Sequence, residues 1–317
     1  MQRRPLLQGG LAGAIAPWAA AAPARSGPKV LRMAFPTAEA GFDPPRVGDT
    51  TSFAVLGAIF EAPLTYDYLA RPALLKPNTA VALPEVSDNF RRFVITLRPG
   101  IFFADDPAFG GPDPGKGREL VAQDYVYSVK RFYDPAITTE RLYVFENAKL
   151  LGLSELRKAA IEGKTPFPYD TEVPGIRALD RYRFEIRLAE PNPRFAQNMT
   201  APSTFGAVAR EVVERYADDP MAHPVGTGPF RLAQWRRSSQ IVLERNPRYR
   251  RPVFDGEPSP GDAEAAAVAA HLRGQTLPLL DRIELSIVVE DQPRWLAFEG
   301  GELDAVMVPG AFAPRVV

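Results

Sequence analysis

The sequence predicts an α/β protein, and three observations carry that class. Lys29 to Phe35 (KVLRMAF) reads as a strand and is followed, past a proline-rich turn, by the helically spaced run Phe53 to Phe60 (FAVLGAIF). Residues 71 to 188 mix short alternating runs with helical ones. From His223 to Tyr249 two apolar runs are separated by a turn, and a further strand and helix follow to Gly300. With 317 residues, 45% apolar and 24% charged, the chain has the length for two domains and the composition of a soluble globular protein.

In chain order, Pro36 to Gly41 is the loop that leaves the carboxyl end of the first strand, and Asp43-Pro44-Pro45 redirects the chain. Phe93 to Leu97 alternates as a strand ended by Pro99-Gly100. Val121, Tyr125, Val129 and Phe132 recur at helical intervals, which predicts a helix over 121–132 with Asp124 and Lys130 facing solvent. Pro107 to Lys116 reads as a mobile Gly-Pro loop. Leu150 to Gly163 reads as a surface helix, Ile176 to Leu188 as a hairpin about Asp180-Arg181, and Ala207 to Tyr216 as a helix with Val208, Val212 and Val213 inward. In the segment from His223 to Tyr249, Gly226, Gly228 and Pro229 punctuate the entry. Phe230, Leu232 and Trp235 line one face of a strand, Ile241 to Leu243 form its partner, and Asn246-Pro247 stops it. Leu279 to Glu290 places Ile283, Leu285 and Ile287 on one face, and Gln292 to Gly300 reads as a helix.

Residues 1 to 24 carry Arg3-Arg4, an apolar stretch from Leu6 to Ala22 and the small-x-small pattern Ala22-Pro23-Ala24, which together predict a cleaved export signal. Gly9, Gly10, Gly13 and Pro17 interrupt the stretch and argue against a permanent anchor. Gln2 to Gln8 resembles a twin-arginine signal, with Gln8 at the usual lysine; a general secretory n-region holding two arginines is the other reading. Cleavage after Ala24 would leave 38 − 2 = 36 basic against 38 acidic side chains. Such a chain has no basic field for nucleic acid. The absence of cysteine removes disulfides, thiolate metal sites and a lipid-modified cysteine, so a free, monomeric periplasmic protein is expected.

No catalytic group stands out. The two histidines, His223 and His271, lack metal-ligand spacing, there is no G-x-S-x-G elbow, and Asp105-Asp106 and Asp218-Asp219 each precede a proline, as loop caps do. Gly226-Thr227-Gly228 lacks the Lys-Ser/Thr end of a phosphate loop and reads as a tight turn. No metal, cofactor or catalytic residue is therefore expected, and the protein reads as a binder rather than an enzyme.

As a string, PVGTGPF (Pro224 to Phe230) followed by IVLERNPRY (Ile241 to Tyr249) resembles the family 5 extracellular solute-binding proteins, receptors of ABC importers. LPEVSDNFRRFVITLRPGIFFADD (from Leu83), LVAQDYVYSVKRFYDP (from Leu120), IRALDRYRFEIRLAEPNP (from Ile176) and LPLLDRIELSIVVEDQPRWLAFEGGELDAV (from Leu277) agree in order. The resemblance implies a periplasmic-binding-protein-like fold (type II, cluster C). Lobe one would comprise residues 25–62 and 191–309, with an inserted α+β subdomain at 63–190, and 310–317 would be a truncated hinge crossing with the second lobe missing. Against the family, 107–116 and 251–274 read as insertions. Either the sequence is a fragment or it is a one-lobed relative; truncation is the favoured reading.

The resemblance further implies a periplasmic substrate-binding protein that takes peptides or other small solutes, held as an added strand, for a membrane permease and its ATPase subunits. Carried onto this sequence, the ligand-binding positions are Thr37, Ala38 and Glu39 after the first strand; Ser203, Thr204 and Phe205, where the family places a strand edge beside the cleft; and Thr227. A periplasmic hydrolase, and a chaperone or sensor module on the same fold, are the rival readings.

Overall fold

The computed structural model describes residues 27–315. The expected export signal at 1–24, with its arginine pair and cleavage point, lies outside the described residues, as do Val316 and Val317.

The elements run β1 (Val30–Phe35), α1 (Thr50–Ile59), β2 (Leu64–Tyr66), β3 (Leu75–Pro77), β4 (Glu85–Ser87), β5 (Arg92–Thr96) and α2 (Ala122–Tyr133). They continue α3 (Leu142–Ala148), α4 (Leu153–Gly163), β6 (Ile176–Ala178), β7 (Arg183–Arg187), α5 (Phe195–Asn198), α6 (Pro202–Phe205) and α7 (Arg210–Arg215). The last are β8 (Phe230–Arg236), β9 (Gln240–Arg245), α8 (Ala263–Leu272), β10 (Arg282–Ile287) and α9 (Asp291–Glu299).

One sheet is mixed and has the order β1-β10-β9-β8, with β1 and β10 parallel and the other pairs antiparallel. Its inner face sets Phe230, Ile241, Leu243 and Leu285 against Val55, Leu56 and Ile59 of α1. A bulge between Leu232 and Gln234 shifts the β8 register by one residue, which brings Trp235 to the apolar side already occupied by Phe230 and Leu232. The second sheet, β4-β5-β7-β6, is antiparallel throughout. Phe93, Ile95, Phe184, Ile186 and Ile176 point from it into a core shared with Tyr125, Val129 and Phe132 of α2. β2 and β3 form a separate two-stranded pair.

The turn before β8 joins these parts at close range. Gly228 N–H donates to the Ile59 carbonyl at 2.8 Å and the Gly226 carbonyl accepts from Ala104 N–H at 2.9 Å. A Cβ at either glycine would overlap the Ile59 carbonyl, so the turn accepts only glycine there.

Several expectations change. Asp124 and Lys130 are buried rather than solvent-facing. Asp124 accepts from Val121 N–H at the helix start and from both terminal nitrogens of Arg118, and the Lys130 ammonium donates to the Tyr169 and Thr171 carbonyls at 2.8 and 2.7 Å. The helix expected over 207–216 is confined to Arg210–Arg215, since the backbone is still extended at Ala209; ahead of it Ala207 N–H and Val208 N–H donate to the Glu61 carbonyl and the Ser128 hydroxyl. Ser203 to Phe205 is a helical turn begun by Pro202, not a strand edge. Loop 107–116 closes on itself through Gly115 N–H to the Phe109 carbonyl, and the Phe109 ring is buried near Phe103. The stretch 251–274 contains a helix, α8, capped by the Asp262 carboxylate on Ala265 N–H.

Candidate functional site

Because β1 and β10 are parallel, their carboxyl ends share one edge of the mixed sheet, the position at which open α/β sheets form their ligand crevices. Val288 N–H donates to the Phe35 carbonyl at 3.0 Å and Ile287 N–H to the Ser239 carbonyl at 2.9 Å. The loop after β1, the β8–β9 turn and the segment after β10 therefore meet at that edge.

The loop is fixed by its neighbours. Asp49 caps α1, accepting from Ser52 N–H at 2.7 Å and from the Ser52 hydroxyl at 2.6 Å, and its second oxygen also accepts from Ala40 N–H at 3.1 Å. The Thr51 hydroxyl donates to the Thr37 carbonyl at 2.8 Å. Further along, the Asp43 carboxylate receives both terminal nitrogens of Arg131 at 2.6 and 2.9 Å, which ties the loop to α2. Glu39 is 4% exposed, and one oxygen accepts from the Trp235 indole N–H at 2.6 Å and from Ser238 N–H at 2.8 Å. Its other oxygen is buried without a hydrogen-bond partner among the described residues. The Arg237 guanidinium covers the outer side of the Trp235 ring, 4.6 Å from its centre.

Between these anchors the main chain is left open. The amides of Thr37, Ala38 and Glu39 and the carbonyls of Ala38 and Glu39 have no hydrogen-bond partner among the described residues, and Thr37 and Ala38 are exposed. Main-chain groups of this kind must bond water or a ligand.

The seven expected positions fall into two groups tied to opposite ends of α1, roughly 15 Å apart for a helix of this length. Thr37, Ala38 and Glu39 lie by its first turn. Thr227 lies by its last, where its hydroxyl donates to Glu61 at 3.0 Å, and α6 runs into Gly206 and Ala207, which pack on Phe60 and Glu61. The Phe205 ring is fully buried against Phe145 and Phe195, and the Thr204 hydroxyl is spent on the Ala201 carbonyl. Glu61 is held in addition by Arg250, whose NH1 contacts both carboxylate oxygens at 2.6 Å. Burial alone would lower the pKa of Arg250, but the Glu61 carboxylate outweighs it and keeps the guanidinium firmly charged.

Sequence reasoning missed Asp49, Ser52, Trp235 and Ser238, the groups that hold the loop. Asp49 and Ser52 carry the cap spacing and were legible in principle; the partners on β8 and in the turn after it are some 200 residues away and were not. His223 stacks on Tyr216 at 3.9 Å. Among the described residues no group of three or more His, Cys, Asp or Glu could hold a metal ion, and no helix is long and apolar enough to cross a membrane.

Comparison with known proteins gives the fold its relatives. The periplasmic oligopeptide-binding protein OppA of Salmonella typhimurium is 28% identical over 209 residues, covering 65% of this chain and 34% of that one. OppA of Escherichia coli is 31% identical over 135 residues, covering 42% of this chain and 23% of its own length. Among solved structures, Haemophilus influenzae OppA in complex with RPPGFSPFR superposes with a TM-score of 0.68 at 19% identity, covering 91% of this chain and 48% of that one. The unliganded open form of MppA, a periplasmic murein tripeptide-binding protein, gives 0.67 at 20% identity, with 91% and 47% covered. The chain thus spans less than half the length of these relatives. The family model described as bacterial extracellular solute-binding proteins, family 5 Middle, matches residues 75–316, and the chain belongs to that family.

Proposed function

We propose that this chain is the front portion of a periplasmic receptor for an ABC importer, and that it holds peptides or peptide-like solutes by their main chain without acting on them. The observation that carries this reading is the run of unpaired main-chain groups at Thr37 to Glu39, fixed beside the carboxyl ends of β1 and β10. An extended peptide can pair with such groups as an added strand, whatever its side chains are. Relatives named for oligopeptide binding, and one solved with a nonapeptide, support the same solute class. Thr37, Ala38 and Glu39 are the ligand-facing members of the site. Ser203, Thr204, Phe205 and Thr227, enclosed at the other end of α1, support the framework rather than face the ligand.

In this reading the chain reaches the periplasm through the signal at 1–24, by the twin-arginine route, and works as a monomer that delivers solute to permease and ATPase subunits. The test is a titration of the isotope-labelled chain with a millimolar pool of di- to hexapeptides, followed by amide NMR. Shifts should concentrate at Thr37, Ala38 and Glu39. Ala38→Pro, which removes one of the amides, should weaken binding by about tenfold, the worth of one lost hydrogen bond. Peptide-induced shifts that spare these three amides would sink the assignment.

A further inference from the structure

The solvent face of the β4-β5-β7-β6 sheet carries an unusual charge arrangement. Glu185 of β7 has a fully buried side chain, and three arginines converge on it: Arg92 from β5 at 2.8 Å, Arg177 from β6 at 2.6 Å and Arg187 from β7 at 3.2 Å. Register explains the convergence. Arg92 stands directly opposite Arg187 and Arg177 directly opposite Glu185, so all four side chains leave the same face of three neighbouring strands.

Elsewhere in the described residues Asp43, Asp105 and Glu244 each meet two cations, and several arginines take two carboxylates each. Arg118 takes both Asp124 and Glu211, and Arg210 takes both Asp170 and Glu214. Here each arginine spends only its Nε on Glu185, and the terminal nitrogens of all three have no partner among the described residues. Their side chains remain 32%, 42% and 41% exposed. Arg177 and Arg187 border an open depression of about 290 Å³, lined also by Glu185, Val173, Pro174 and Glu172, and Arg92 joins them through Glu185. A water's share of liquid volume is about 30 Å³, so the depression admits a small oxyanion with hydration to spare. Three guanidiniums against one buried carboxylate leave two positive charges uncompensated; Glu172, at the rim, offsets one at most.

We propose that this face is an anion site for a phosphomonoester group, separate from the edge assigned to peptides. A planar carboxylate offers two oxygens, whereas a phosphomonoester offers three, enough to occupy the forks of both Arg177 and Arg187, and carries close to two negative charges at neutral pH. The group can be free or displayed on a membrane surface, and the two sources are separated by experiment.

The full chain is titrated with glycerol 3-phosphate, with acetate at equal ionic strength as the monocarboxylate control. In a second arm it is sedimented with phosphatidylcholine vesicles that contain phosphatidic acid. Saturable binding at least about tenfold tighter than acetate is expected in one arm or both, and binding to vesicles alone places the phosphate on a membrane. R177Q/R187Q should weaken it by at least about tenfold, as loss of charge-assisted hydrogen bonds requires. E185Q, which removes the competing carboxylate, should tighten it. Because R177Q/R187Q leaves Glu185 with a single partner, R177Q/E185Q/R187Q serves as the variant that buries no unpaired charge, with its melting curve recorded. No preference for phosphate in either arm, binding that survives loss of the two arginines in the folded triple variant, or E185Q binding no tighter than wild type overturns the proposal.

Discussion

Asp43 and Arg131 are 3% and 2% exposed and face each other through two hydrogen bonds; Asp43 also accepts from Arg46 at 3.1 Å, whereas Asp43 is the one carboxylate that pairs with Arg131 among the described residues. A buried pair of this kind contributes little net stability against an apolar pair of similar size, yet losing one member strands the other. Asp43→Leu, which strands Arg131, should therefore cost about 3–5 kcal/mol in urea unfolding, and D43L/R131M should recover most of that loss. Equal destabilisation by the single and double variants would show that the pair has some other role. Glu185 makes a second case. Burial favours its neutral form, but hydrogen bonds from Arg177, Arg92 and Arg187 prevail and hold its carboxyl below the ordinary value of 4.5. A depressed folded pKa gives stability that is present above about pH 4.5 and is lost as pH falls through the folded value. Unfolding midpoints measured from neutral to acid pH should therefore decline below that point, and the E185Q protein should decline less steeply. A parallel decline in both proteins would remove Glu185 from the account.

At the scale of elements, the glycine turn before β8 shows how a short motif positions larger pieces. Gly226 and Gly228 let the chain run against the Ile59 carbonyl at the end of α1, so the hairpin, the helix and the Ala104 segment share one contact point. Gly226→Ala should force the backbone apart and cost about 1–3 kcal/mol by overpacking, measured by chemical denaturation. An unchanged midpoint would mean that the turn can shift without loss. This turn and the two strands after it were legible in the sequence because glycine, proline and alternation are local signals. Burial of Asp124 and Lys130 was not, since their positions on α2 suit a polar face and only Arg118 and the carbonyls of Tyr169 and Thr171, brought near by the fold, explain it. The same limit applies to the candidate site. Strand followed by loop marked Thr37 to Glu39, but Trp235 and Ser238, which hold Glu39, come from the other side of the sheet. Val208 fits helical spacing and yet lies ahead of the helix, which begins only after the extended Ala209, and its amide bonds the Ser128 hydroxyl. Periodicity cannot report such a tertiary contact.

For the molecule as a whole, the question is which parts the sheet architecture needs. The stretch carrying α8 leaves and rejoins the chain at one point: Leu277 N–H bonds the Pro252 carbonyl at 2.8 Å, Phe254 N–H bonds the Gln275 carbonyl at 2.9 Å, and Val253 bridges Thr276. Its apolar contacts form a satellite of Leu69, Ala265 and Ala269 with Phe254 and Val268, and none of these residues belongs to the two large cores. Its polar contacts reach one neighbouring segment: Lys76 pairs with Asp255 at 2.8 Å, Asp67 accepts from Glu257 N–H at 3.2 Å, and the Ser259 hydroxyl bonds both the amide and the carbonyl of Arg71 at 2.6 Å. An element with adjacent ends and its own small core is removable where the chain can be closed by a short turn. Replacing residues 255–274 by two glycines should leave a cooperatively folding protein. The stability lost should be about 1.5–3 kcal/mol, the worth of the one large apolar side chain, Leu69, that the deletion uncovers. Hydrogen exchange supplies the decisive reading. Protection along β1, β9 and β10 should be retained, and new exchange should be confined to residues 67–76. Loss of protection in the mixed sheet would show that the stretch is part of the framework, with its connection running through β9 and the Arg250–Glu61 contact.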